Sequence, residues 1–174
     1  MGKLLSCALL VCAFSATAPA AVLTFEDLTG SGVVPIDYAG VTWDGFWSYY
    51  DSPQDPYNPA SGVERVYNYG TRQFAFATPV VFNGAYFAGT DNLQYDLYLT
   101  GGLVASSGSI ELSSTPTFLA SGYSGLIDEV RVNATPGYFV MDDVTFNASA
   151  VPEPTSIGLV GLGLAGLLVR RFRR

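Results

Sequence analysis

The stretch Phe139-Val140-Met141-Asp142-Asp143-Val144-Thr145-Phe146 reads as a β-strand, because its apolar residues include β-branched and aromatic types and no 3.6-residue spacing competes with a period of two. Alternation puts Asp142 on one face with Val140, Val144 and Phe146. A carboxylate on an apolar face calls for hydrogen-bond donors or a cation, since a lone buried charge is costly or takes up a proton.

The same texture extends outward through residues 22–148. Short runs rich in Val, Thr, Phe and Tyr alternate with Gly, Pro, Asn and Asp, giving expected strands at 23–28, 41–47, 63–68, 73–76, 80–88, 94–100, 103–111, 117–120, 127–133 and 138–146. Thr100-Gly101-Gly102 and Ala134-Thr135-Pro136-Gly137 supply hairpin turns. The expected fold is all-β: a two-sheet antiparallel β-sandwich of jelly-roll type, with an immunoglobulin-like topology as the alternative.

The chain has 174 residues and a formal net charge of −7, room for one compact domain. Setting the termini aside leaves 14 acidic residues against Arg65, Arg72 and Arg131, a net charge near −11 in the middle region. Phosphate backbones are repelled by such a surface, so no nucleic-acid partner is expected. The middle region has no histidine, lysine or cysteine. It therefore lacks a base to activate a serine nucleophile, a thiolate, and imidazole or thiolate ligands for zinc or copper. Paired carboxylates could serve glycoside hydrolysis, but acids on a solvated surface explain them more simply, and no enzyme activity is expected.

The termini read as targeting segments. Residues 1–21 form a signal peptide: Lys3 is the positive start, Leu4 to Phe14 the apolar run, and Ala18-Pro19-Ala20 the small-residue site, with cleavage after Ala20 or Ala21. Cys7 and Cys12 lie inside it, so the mature chain is expected to be thiol-free. Residues 149–174 form a sorting segment, with a motif at 151–154, a transmembrane helix at 155–169 and a basic tail at 170–174. Pro152, Glu153 and Pro154 hold an extended backbone, and Arg170, Arg171, Arg173 and Arg174 act as a membrane stop on the cytoplasmic side. The apolar run spans only roughly 22 Å at about 1.5 Å per residue, short of the roughly 30 Å hydrocarbon core. A marginal anchor suits a temporary one.

Val151 to Arg174 closely resembles the PEP-CTERM sorting domain of Gram-negative bacteria that make exopolysaccharide, with Pro152-Glu153-Pro154 as the signature tripeptide. The resemblance implies an exosortase-type processing enzyme as partner, transient anchoring in the inner membrane through the C-terminal helix, and delivery to the cell surface or extracellular matrix.

The Asp142-Asp143-Val144 strand resembles the last strand of jelly-roll carbohydrate-binding modules, and Phe25-Glu26 resembles the start of their first. In that family the two strands lie together and supply oxygens to a structural calcium ion, which carries over to Glu26 and Asp142. Parity in a strand from Leu23 places Asp27 inward with Leu23 and Phe25, making it the substitute ligand. A hydrogen-bonded strand-end carboxylate is the alternative. The order of apolar strands from Leu23 to Phe146 also looks like the secreted domains that often precede this sorting tag, whose biochemical role is generally unassigned.

Aromatic residues are densest from Tyr38 to Tyr57, followed by Pro53, Pro56 and Pro59 at every third position. Trp43 reads as core. Trp47, Tyr49, Tyr50, Asp55, Tyr57 and Asn58 are the expected carbohydrate contacts, since aromatic faces cover the apolar side of a sugar while Asp and Asn bind its hydroxyls. The expected function is that of an exported, surface-sorted, noncatalytic protein of the envelope or exopolysaccharide matrix that binds polysaccharide. A structural or protein-adhesive matrix component is the alternative. The acidic surface favours a neutral glycan unless calcium bridges the two.

Overall fold

The computed structural model describes residues 20–148. The expected signal segment up to residue 19, and the expected sorting motif, membrane segment and basic tail from residue 149, lie outside the described residues. Among the described residues no helix is long and apolar enough to cross a membrane.

The described chain is all-β, as its alternating texture predicts. Its strands are β1 (Ala20–Leu23), β2 (Ser31–Val33), β3 (Val41–Trp43), β4 (Ser48–Tyr50), β5 (Arg65–Gly89), β6 (Asn92–Leu99), β7 (Gly102–Ser106), β8 (Ile110–Glu111), β9 (Thr117–Ala120) and β10 (Ile127–Ala148). All ten join one hydrogen-bonded sheet, with the path β2-β4-β5-β10-β6-β7 and the other four strands paired off it.

Continuity comes from β5 and β10, which absorb several of the shorter expected strands. Arg131 and Asn133 face Gln73 and Thr71; Tyr138 and Val140 face Tyr69 and Tyr67; Phe146 and Asn147 face Phe82 and Val81. In each block the partner's number falls as the β10 number rises, which is the antiparallel sense. Phe139 pairs with both Asn68 and Gly89, so this part of β10 lies between the beginning and the end of β5. The sheet must curl to allow this, and the inward side chains meet inside the curl.

That interior is largely aromatic. The rings of Trp43 and Trp47 meet edge to face at 5.4 Å, and Trp47 also meets Phe139 at 5.7 Å. Phe82 and Phe87 pack on Tyr95 at 5.1 and 5.6 Å. Edge-to-face contacts of this kind suit the ring quadrupole. The Trp47 indole N–H donates to the Gln73 carbonyl at 3.0 Å, so its one polar group is satisfied.

Two expected strands stop early, and both stops matter for function. β1 ends at Leu23, and Phe25 adopts a left-handed φ of 61°, which breaks the alternation. Glu26 and Asp27 consequently sit exposed in a loop, and the parity that turned Asp27 inward does not apply. β3 ends at Trp43, where Asp44 accepts the Phe46 amide at 3.0 Å and Gly45 takes φ 79°. Across this turn Trp47 keeps the buried face it shares with Trp43, with 0% exposure, so it cannot be a sugar contact in this structure. Phe46 is 70% exposed instead.

Candidate functional site

The segment between β4 and β5, residues 51–64, has no regular strand or helix. Its peptide groups need other partners, and three charged side chains supply many of them. Arg65 opens β5 opposite Tyr50 and is 1% exposed. Its guanidinium lies 3.8 Å from the Tyr50 ring centroid. It donates to the carbonyls of Tyr57 at 2.9 Å, Val63 at 2.7 Å, Ser52 at 2.5 Å and Tyr50 at 3.4 Å.

Carboxylates hold the amide side of the same segment. Asp142 Oδ2 accepts the Ala60 and Ser61 amides at 2.8 and 2.9 Å, while its Oδ1 accepts the Asp143 amide at 2.7 Å. Ser61 Oγ donates to Asp143 at 2.8 Å. Glu26 Oε1 accepts the Val63 and Glu64 amides at 3.0 and 2.9 Å. The Glu26 carboxyl lies directly over Gly62, where φ is +51° and an added Cβ would collide with it.

Between this pinned segment and the sheet lies a pocket of about 480 Å³. Tyr50 at the end of β4 and Gln54 and Tyr57 of the loop line it on one side, and Tyr67 and Tyr138 from β5 and β10 on the other, over Phe139 and Val140. None of these side chains is charged, although the domain around them is strongly acidic. Tyr67 faces Val140 and Tyr69 faces Tyr138 in register, so these four share one face of the sheet. Tyr50 meets Tyr67 edge to face at 5.2 Å.

Of the expected sugar contacts, Tyr50 and Tyr57 therefore line a pocket. Asp55 and Asn58 are turned to structural use: Asn58 Nδ2 donates to Asp55 at 3.3 Å and to the Ser114 carbonyl at 2.8 Å, tying the loop to a distant segment. Tyr49 packs against the core and over Gly32. Gln54, Tyr67 and Tyr138 were not among the expected contacts. The period of two through the strand beginning near Val63 does put Tyr67 on the Arg65 face, a signal that only the pairing of β5 with β10 makes meaningful.

The expected calcium ligands do not fit a shared ion. Calcium takes six to eight oxygens, and both Asp142 oxygens already point at amide protons, as does Oε1 of Glu26. Asp27 accepts the Tyr38 hydroxyl instead. Among the described residues no group of three or more His, Cys, Asp or Glu side chains is arranged to hold a metal. One oxygen does stand out. Glu64 is 3% exposed and its Oε2 has no hydrogen-bond partner. Burial pushes the Glu64 carboxyl upward from its ordinary pKa, and the neighbouring Asp51 and Glu26 charges add to the shift.

Comparison with known proteins bears on the tail first. Residues 150–174 match the family model for the PEP-CTERM protein-sorting motif, in agreement with the resemblance of Val151 to Arg174. The tail thus marks an exported protein carrying a C-terminal membrane-anchor sorting signal. No curated protein matches the chain. Among solved structures, the carbohydrate-binding module TmCBM61, in complex with beta-1,4-galactotriose, aligns at 16% identity and a TM-score of 0.33, covering 62% of this chain and 87% of that one. A likeness at that level places neither fold nor ligand on this chain.

The Asp142 environment generates a pH prediction. Burial pushes its pKa up to about 7, Asp143 adds to the shift, and the Ser61, Asp143 and Ala60 amides oppose it. The folded state then retains a proton that the unfolded chain loses near the ordinary value of 3.8. The contribution of Asp142 to stability is therefore full in acid and declines as pH rises from about 4 to about 7. Urea unfolding across that range should show a shallower decline for Asp142→Asn than for wild type. Equal slopes would mean that Asp142 titrates normally.

Proposed function

We propose that this protein is an exported, surface-sorted, noncatalytic glycan-binding protein, and that it holds an uncharged sugar in the pocket between the 51–64 loop and the sheet. The carrying observation is the lining itself: four tyrosines and a glutamine, with no charge. Tyrosine combines an apolar ring for the C–H face of a pyranose with a hydroxyl for its rim, and glutamine can donate and accept at once. A concave site of this volume with a few polar groups is the ordinary form of a small-ligand site. The curled sheet is read as a jelly roll, with the aromatic face of its β5 and β10 pairing as the binding surface.

The sorting tail supports the wider setting. Its motif implies removal by an exosortase-type enzyme, after transient residence in the inner membrane, and delivery to the surface or exopolysaccharide matrix of a Gram-negative cell. Such a location supplies polysaccharide at high local concentration. A structural or protein-adhesive role is the rival reading. It uses the same address and leaves the pocket unexplained.

A calcium ion belongs to a second reading, favoured by one atom. If the domain binds calcium, the buried and unpartnered Glu64 Oε2 offers the ion a freer oxygen than the amide-filled Asp142 does. Backbone carbonyls and water would complete the shell.

Three outcomes are expected. On a glycan array, wild type should retain neutral oligosaccharides, and Tyr67→Ala should lower affinity roughly tenfold, the scale of one lost aromatic contact, while the variant still unfolds in a single cooperative transition above the assay temperature. No glycan retained by wild type would leave the adhesive reading, and sugar release would show an enzyme. Intact-mass measurement on protein from the cell surface should show loss of Arg170 to Arg174; their presence would exclude processing of the tail. Thermal melts should shift upward with calcium relative to chelator in wild type and in Asp142→Asn, but not in Glu64→Gln. Coincident wild-type melts would dismiss the ion.

A further inference from the structure

Along both strands beneath the pocket, burial falls away in one direction. On β5, Arg65 is 1% exposed, Tyr67 is half-buried and Tyr69 is 48% exposed, at alternate positions of one face. On β10, Asp142 and Val140 are 2% and 1% exposed and Tyr138 is 54% exposed, again at alternate positions. The two series run side by side, since Val140 faces Tyr67 and Tyr138 faces Tyr69 in register.

The buried end is closed by the 51–64 loop. Arg65 donates to the Ser52 and Tyr57 carbonyls, Asp142 accepts the Ala60 and Ser61 amides, and Asn58 carries the loop on to the Ser114 carbonyl, between β8 and β9. The loop therefore crosses this face of the sheet from β4, over β5 and β10, as a fixed wall. The opposite end carries the Tyr69 and Tyr138 rings, 5.1 Å apart, and neither residue belongs to the hydrophobic core. Tyr138 also lines the pocket, so these rings begin at its edge. Gly70 follows Tyr69, and a Cβ added there would meet no atom beyond its chain neighbours within 4 Å. The site is thus a groove, blind at the loop and open past the two rings.

We propose that this groove takes the end of a polysaccharide chain: the terminal sugar sits in the pocket against Tyr67, and the next units leave over Tyr138 and Tyr69. This inference rests on the sugar-binding reading of the pocket and specifies its ligand as the terminus of a neutral chain or side branch. An internal unit has a neighbour on both sides, and one of the two would have to pass through the wall formed by residues 57–61. Moving that wall strips hydrogen bonds from the buried Arg65 and Asp142, and buried polar groups left without partners are costly. In the open direction the rings suit successive sugars. Alternate positions on a strand lie roughly 7 Å apart, so Tyr67 and Tyr69 offer apolar faces to different units of one chain.

The test is isothermal titration of the full chain with β-1,4-linked gluco-, galacto-, xylo- and manno-oligosaccharides from disaccharide to hexasaccharide, and with a long linear polymer of any sugar that binds. Affinity should rise from disaccharide to trisaccharide and then stay level, and one protein should bind per chain whatever the chain length. Tyr69→Ala should lower trisaccharide affinity about fivefold, the scale of one aromatic contact, and leave disaccharide affinity within about twofold. Each end of the tetrasaccharide is then blocked separately, with an aminobenzamide tag at the reducing end or an O-benzyl group at the non-reducing end. One block should lower affinity at least roughly tenfold and the other leave it within about twofold, and the sensitive arm identifies the end that enters the pocket. Several proteins bound along one long linear chain, equal effects of the two blocks, or a trisaccharide gain that survives Tyr69→Ala overturns this proposal and leaves the pocket reading standing. Absence of binding to every probe, disaccharides included, overturns both.

Discussion

A buried guanidinium without a carboxylate partner is the constraint on which the site depends. Taking a cation out of water costs several kcal/mol unless its donors are met, and Arg65 meets them with four backbone carbonyls. Those carbonyls belong to Tyr50, Ser52, Tyr57 and Val63, spread along almost the whole connection from β4 to β5. Satisfying one side chain therefore fixes the path of a segment with little regular structure of its own. Two of the four residues, Tyr50 and Tyr57, carry the rings that line the pocket. The position of the rings and the satisfaction of the charge are the same event.

The carboxylates complete this arrangement with the opposite polarity. Asp142 and Glu26 each accept two amides from residues 60–64, so peptide carbonyls turn to the arginine and peptide N–H groups to the acids. These bonds show how an acid can sit on the apolar face of β10: the loop itself supplies donors to its oxygens. Gly62 follows from the same packing, since only a residue without a side chain fits beneath the Glu26 carboxyl.

Much of the fold was legible because it rests on local alternation. Thr117–Ala120 is a strand with the expected bounds, the runs 80–88 and 138–146 fall within strands, and 94–100 does so up to Leu99. One miss comes where a single backbone torsion overrides alternation: Phe25 at positive φ removes Glu26 and Asp27 from β1. The other goes the opposite way, since Trp47 stays on the buried face it shares with Trp43 at a spacing of four despite the intervening Asp44-Gly45 turn. The site was half legible. Tyr50 and Tyr57 lie in the aromatic-dense, proline-rich stretch that marked them, whereas Tyr67 and Tyr138 lie 71 positions apart and come together only through the register of β5 on β10. Arg65 gave no local signal, since a lone arginine at a strand start looks solvated until a loop is seen folded over it.

The division between strand and loop residues also accounts for why a shallow acidic domain can offer a defined site. Side chains on a paired strand have their backbone fixed by neighbours, as that of Tyr138 is by Tyr69 and that of the adjacent Phe139 by both Asn68 and Gly89. Loop side chains ordinarily forfeit binding free energy to the ordering of their backbone. Here that ordering is complete before any ligand arrives, because the loop is already held from both its carbonyl and its amide sides. On the proposed reading, a sugar would meet rings whose positions are set by charges it does not touch. This separation lets the domain carry many acids while keeping them out of the pocket lining.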